Sequence, residues 1–252
     1  MESKINRYSK QLILINSFFI LAWLVVSVFP FIWTFWGSFK VKADFFSRAD
    51  WMFAVTGVNT LIETGDTSTV KAYVESWTEG EFWKATMNTI IITVSVVTIS
   101  LFLGTLGAYA LSRSTYKYTF WILIAALIFR AMPHITLVSG YLFPFFQLNV
   151  WGILPTTIIV LVAINQPFTL WLLYSFFKTV PKELDESALI DGCSYFQAFR
   201  FVIMPVMWPG VVTAGLFSMM LAYNDFTVTS LLLNQQNYTM VPKINAYLGT
   251  IE

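Results

Sequence analysis

Apolar residues along this chain fall in long blocks, not at alternating positions. Five blocks are each long enough to cross a bilayer, which takes about 20 mostly apolar residues. They cover about 12–36, 85–111, 119–143, 153–177 and 206–233. Pro133 sits inside the third block, and Asn165-Gln166-Pro167 interrupts the fourth. The first block ends in an aromatic-rich run, Phe29–Trp36, suited to the membrane interface because Trp and Tyr rings are part apolar and part polar. It is too long for a signal-peptide core, and no small-residue cleavage site follows it. The pattern predicts an all-α polytopic membrane helix bundle with five spans, read as one membrane domain over 1–252. Its parts are the N-terminal tail and first span (1–40), an extracytoplasmic loop (41–84) and a core (85–252). The stretch 234–252 holds no apolar run long enough to span.

The polar segments orient these spans. Cytoplasmic loops carry an excess of Lys and Arg. Lys4, Arg7 and Lys10 precede the first span, Arg113 and Lys117 follow the second, and Lys178, Lys182 and Arg200 follow the fourth. The segment after the third span, 144–152, carries no Lys or Arg. The N-terminus and the two basic loops are therefore expected in the cytoplasm. The long, more acidic segment 37–84 is expected outside, and with five spans the C-terminus falls outside too.

Composition agrees and excludes alternatives. The chain of 252 residues is 57% hydrophobic and 12% charged, against about 45–50% and about 25% for soluble domains. So little charge cannot cover a water-facing surface. The net charge of +1 excludes a strongly basic nucleic-acid binder. The single Cys193 and single His134 lie in no Cys/His cluster, so a structural zinc site is not expected. Neither carries a local signature of a nucleophilic pair. There is no Gly-x-x-x-x-Gly-Lys-Ser/Thr phosphate loop, so the chain is not expected to bind ATP or magnesium itself. Gly104 and Gly107, in an apolar span without a following Lys, read as close-packing positions between helices.

The segment 178–205 is the most informative. Local rules parse it into two short helices. Pro181 suits the first position of a helix, and Glu183, Asp185 and Glu186 suit the positive end of its dipole. Gly192 can end it in the left-handed conformation. Ser194 and Gln197 form a capping box for the second helix, which Pro205 and Pro209 end before the next span. Leu184, Ala188, Leu189, Ile190, Tyr195, Phe196 and Phe199 make the pair amphipathic. Periodicity alone leaves two readings, a connector lying on the membrane surface and a helix docking into a partner's groove.

The run Glu186-Ser187-Ala188-Leu189-Ile190-Asp191-Gly192-Cys193, with Phe199 and Val202-Ile203-Met204-Pro205 after it, resembles the EAA loop of ABC transporter permeases that work with a solute-binding protein. Ser187 and Cys193 stand where the family pattern has Ala, and Val202 and Met204 where it has Ile and Leu. Three further stretches are similar to the carbohydrate, maltose-type branch: Phe29-Pro30 with Gly37-Ser38-Phe39-Lys40; Asn88-Thr89 with Ala108-Tyr109-Ala110-Leu111-Ser112-Arg113; and Tyr223-Asn224-Asp225-Phe226. The likeness runs from the first span to about Pro242. Members usually have six spans with both termini cytoplasmic, so this chain is about one span short of the pattern.

The resemblance implies a type I ABC importer permease fold whose first cytoplasmic helix is a coupling helix, with Glu186, Ser187, Ala188, Asp191, Gly192 and Pro205 as the residues that couple to the ATPase. It implies a second homologous permease, two ATPase subunits that hold ATP and magnesium, an extracytoplasmic solute-binding protein and a bacterial or archaeal plasma membrane. It also implies import of a sugar, oligosaccharide or polyol. Intramembrane polar groups are the candidates for the solute path. Arg130 and His134 share a face one helical turn apart, and Asn224-Asp225 lie in the outer part of the fifth span. Arg130 has a structural reading as well, serving carbonyls freed by Pro133 or pairing with Asp225. Two other classes are weighed. An ion-coupled secondary transporter would show inverted repeats and paired broken helices, and no repeat is visible. An intramembrane enzyme would need an acid–base pair or metal cluster.

Overall fold

The computed structural model describes residues 2–38 and 68–249, helical but for turns and one parallel β-bridge between Gly152 and Leu233. The chain divides into two compact units, Met1–Gly80 and Glu81–Glu252. In the first, α1 (Glu2–Gly37) contains an apolar stretch, Leu12–Phe35, long enough to cross a bilayer. Most of the expected extracytoplasmic loop lies outside the described residues, as do the side chains of Lys4, Arg7 and Lys10. α2 (Ser68–Thr78) forms near the loop's end.

The second unit is a bundle built on α3 (Phe82–Arg113), α6 (Leu154–Thr179) and α8 (Tyr195–Tyr223), each long and apolar enough to span. α3 shows why they pack. Its buried positions recur every three or four residues (Ala85, Thr89, Ile92, Val96, Ser100, Gly104, Ala108, Ser112) and are mostly small. Lipid is as apolar as a leucine side chain, so spans associate through close approach at small residues. Gly104 meets Leu173 and Thr169, Gly107 meets Leu170, and Gly210 lies against the Phe176 ring. Two buried clusters fill the unit. One contains Ala108, Leu173, Phe177, Phe199 and Ile203; the other contains Val96, Val138, Leu161, Val228 and Leu232.

Two of the expected spans need correction. The third span is not one helix: α4 (Tyr118–Ala131) and α5 (His134–Gln147) meet at 87° across Met132-Pro133. Each has 14 residues, about 21 Å of helix, so neither alone crosses the roughly 30 Å hydrocarbon core. Pro133 takes the N-cap position of α5 with extended ψ, which starts a new helix inside the block read as one span. The fifth span ends at Tyr223, well short of 233. Asn224 and Asp225 interrupt it, and a separate short helix, α9 (Thr227–Leu232), packs back on α5 and α6. A 3₁₀ turn (Gln235–Asn237) and α10 (Met240–Gly249) follow, α10 lying on α3.

The cytoplasmic segment also differs. α7 (Glu183–Ile190) forms, but Pro181 precedes it without opening it. Gly192 has φ +87° as expected, and Ser194 and Gln197 make the capping box. The second helix, however, does not stop at Pro205. α8 runs from Tyr195 through a π segment, Ala198–Ile203, into the span. Its turn is widened there, with the Met204 amide donating to Phe199 O five residues back. The extra residue accommodates a proline that has no amide to give.

Candidate functional site

Two places collect the charged and polar groups of the bundle. The first is the end where α3, α6 and α7 meet. Tyr109 and Arg113, one turn apart, close α3, and both reach Asp185 in the first turn of α7. The Tyr109 hydroxyl donates to Asp185 Oδ1 at 2.5 Å, and Arg113 Nη2 stands 2.7 Å from Asp185 Oδ2. That contact is an ion pair without in-line hydrogen-bond geometry. Arg113 Nη1 donates to the carbonyls of Val180 (3.0 Å) and Phe177 (3.3 Å) at the end of α6. The Tyr109 ring packs on Phe177 and Phe199, at 5.7 and 4.9 Å between centroids. Asp185 is only 8% exposed. One side chain from α7 thus ties that helix to α3 directly and to α6 through Arg113.

Of the residues expected to couple, Glu186, Ser187, Asp191, Gly192 and Pro205 are exposed, while Ala188 is buried and seats α7 on the bundle. Ile190, Tyr195 and Phe196 form an exposed apolar edge beside them. The residues the sequence reading passed over are the anchors, Tyr109, Arg113 and Asp185. Tyr109 was quoted only as part of a motif, Arg113 as part of that motif and as a basic loop residue, and Asp185 only as one of three acids. The usable signal was a Tyr and an Arg at i, i+4 closing a span.

The second place is the break between α4 and α5. Arg130, His134, Asn224 and Asp225 line a single cavity of about 620 Å³, together with Phe168 and Phe217. The structure therefore brings all four expected path residues together. Arg130 is the last residue but one of α4, about 18 Å from its start and beside the break to α5. Its guanidinium stands over the Phe168 ring at 4.8 Å. It makes no ion pair and donates no hydrogen bond among the described residues, so neither structural role considered for it, serving freed carbonyls or pairing with Asp225, is realised. Asp225 is otherwise occupied: its Oδ1 accepts from the amides of Val228 (2.8 Å) and Thr229 (3.1 Å) in the first turn of α9. Asn224 Nδ2 donates to Met220 O at 3.0 Å. A smaller extension of about 30 Å³, room for one water, reaches Asn165. Asn165 is 4% exposed, donates to Ser218 Oγ at 2.6 Å, and has an unpartnered Oδ1. No group of three His, Cys, Asp or Glu placed to hold a metal occurs among the described residues.

Residues 100–250 match the family described as "Binding-protein-dependent transport system inner membrane component". The chain is 28% identical over 243 residues to the diacetylchitobiose uptake system permease protein NgcG of Streptomyces coelicolor, covering 92% of this chain and 73% of that one. It is 30% identical to the trehalose/maltose transport system permease protein MalG of Thermococcus litoralis (92% and 79%). It is 28% identical to the sulfoquinovosyl glycerol transport system permease protein SmoH of Agrobacterium fabrum (81% and 67%). The fold is similar, at a TM-score of 0.66 and 20% identity, to a chain in the crystal structure of a bacterial ABC transporter that imports the acidic polysaccharide alginate, covering 94% of this chain and 78% of that one.

Proposed function

Because the chain belongs to the family of binding-protein-dependent transport system inner membrane components, we propose that it forms half of the translocation path of an ATP-driven sugar importer. A second permease supplies the other half, two ATPase subunits dock on the cytoplasmic face, and an extracytoplasmic binding protein delivers the solute. ATP and magnesium belong to the ATPase subunits. The carbohydrate class is carried over from relatives named for diacetylchitobiose, trehalose/maltose and sulfoquinovosyl glycerol. The N-terminus and the end of the bundle bearing Arg113, Lys117 and Lys178 face the cytoplasm of a bacterial or archaeal cell, by the excess of Lys and Arg there.

The observation that carries the coupling role is the anchorage of α7. Glu186, Ser187, Asp191 and Gly192 with the Ile190–Phe196 edge present themselves to an ATPase cleft, while Asp185 behind them is fastened to Arg113 and Tyr109. When the ATPase subunits close on ATP, a displacement of α7 passes through that anchorage to α3 and α6, two of the three long spans of the bundle. Pro205 and the π turn let α8 follow without breaking. Arg130, His134, Asn224 and Asp225 line the path of the solute.

The test is reconstitution of the chain with its partner permease, ATPase subunits and binding protein in vesicles, followed by uptake of labelled maltose, trehalose and diacetylchitobiose. ATP-dependent uptake of at least one is the expected result. If no ATPase co-purifies and an ion gradient drives uptake in its place, the reading is wrong and the alternative, an ion-coupled secondary transporter, replaces it. None of the relatives favours that alternative.

A further inference from the structure

The cavity at the helix break carries an unanswered positive charge. Arg130 reaches it half-buried, its guanidinium 4.8 Å from the centre of the Phe168 ring, with no carboxylate within 4.0 Å among the described residues. Asp225, the one acid lining the cavity, already has Oδ1 engaged by two amides of α9, which offset part of its charge. The start of α5 adds to the imbalance. α5 begins at His134, which lines the cavity; the amides of Thr136 and Leu137 donate to Pro133 O, and the first two amides of the helix have no carbonyl within it to donate to. A half-helix N-terminus beside a cavity favours negative charge there. Deeper in, the unpartnered Oδ1 of Asn165 and the free Oδ2 of Asp225 offer acceptors, which suit hydroxyl donors and a bridging water.

We propose that Arg130, with His134 and the start of α5, binds the carboxylate or sulfonate of an acidic sugar in this cavity, and that Arg130 sets a preference for anionic over neutral sugars. The planar guanidinium holds a carboxylate or sulfonate by paired hydrogen bonds, which a neutral hydroxyl cannot match in strength. Phe168 backs the guanidinium and Phe217 faces the same space, so the sugar ring has an apolar wall to lie on. The proposal rests on the reading that this cavity is part of the solute path. The same chemistry has a second source, a carboxylate of the partner permease reaching into the cavity.

The experiment uses the assembled transporter in detergent, without binding protein. The readout is the thermal unfolding midpoint against concentration of sodium D-glucuronate, with D-glucose and sodium chloride at matched concentration and ionic strength as controls. This binding readout does not depend on transport. A transporter that binds glucuronate but fails to use ATP overturns the proposed function and leaves the site standing. The expected result is a saturable rise with glucuronate alone, with affinity lowered about ten- to hundred-fold in Arg130→Gln and only partly restored in Arg130→Lys, which keeps the charge but loses the paired geometry. Equal response to glucose, or an unchanged glucuronate response in Arg130→Gln, overturns the proposal. So does the third outcome, in which glucuronate has no effect but Arg130→Gln releases the partner permease. Arg130 then belongs to an interface between subunits.

Discussion

Replacing Asp185 by Asn removes the charge that anchors α7 and keeps the side chain's volume. The wild-type pair stands at 2.7 Å with side chains 16% and 12% exposed. At an effective dielectric constant of about 20 the direct attraction is about 6 kcal/mol, opposed by a desolvation penalty of several kcal/mol per ion. Breaking a fully buried pair by removing one partner costs about 3–5 kcal/mol, because the other charge is left behind. The residual exposure and the imperfect alignment reduce that, and Asn still accepts from Tyr109, so the expected loss is about 2–3 kcal/mol in the seating of α7. In rate terms that is roughly a 30- to 150-fold fall in amide protection over Glu183–Ile190. Hydrogen exchange on the assembled transporter reads it segment by segment, and ATP hydrolysis should become less dependent on solute while uptake falls. Glu183→Gln is the control. It removes the same charge two residues earlier from an exposed position in the same first turn, and should leave the protection of α7 as it was. Equal protection of α7 in Asp185→Asn and wild type, or equal loss in both variants, would refute the anchorage argument.

Three further outcomes follow from the packing and caps. Gly210→Ala places a Cβ 2.8 Å from the Phe176 ring, and should destabilise the bundle by about 1–3 kcal/mol as overpacking, seen as a lower unfolding midpoint in detergent. Gly192→Ala meets no neighbouring atom but keeps φ +87°, so it should cost about 1 kcal/mol from strain alone, with Gly192→Asn milder. Asp225→Ala removes both caps on α9 and should cost about 0.5–2 kcal/mol, read as faster exchange at Val228 and Thr229.

The spans were legible because each is a long apolar block, a signal that needs no tertiary information. The breaks were legible only as places, not as outcomes. Pro133 and Pro205 look alike in sequence, yet the first separates two helices at 87° while the second sits in a continuous one. Pro144, Pro167 and Pro209 also lie inside continuous helices, so a proline marks a place without deciding its outcome; at Pro205 a π turn takes up the missing amide, with Phe199 and Ile203 of that turn packed in the buried cluster. The anchor was hidden for a similar reason. Glu183, Asp185 and Glu186 satisfy one local rule equally, and only the return of the chain to Tyr109, 76 positions earlier, singles out Asp185. The four candidate path residues were chosen for polarity within spans, and the cavity they share lies where α4 and α5 bend and α8 ends early at Asn224.

Two arginines near the ends of helices make the functional contrast. Arg113 and Arg130 both lie in the last turn of their helices, where a cation is favoured by the dipole. Arg113 has two carbonyls, an aromatic face and a carboxylate around it; it is structurally complete, and its removal should act on seating. Arg130 has only an aromatic face. A charge inside a span costs about 2.5–3.5 kcal/mol on insertion scales, and a single ring returns about 0.5–2 kcal/mol of it. A residue left in deficit by its own chain, beside a cavity of sugar-sized volume, is one whose balance is made up by something that enters. Arg113 variants are therefore expected to change coupling and stability together, and Arg130 variants to change which solute is accepted while the bundle stays folded.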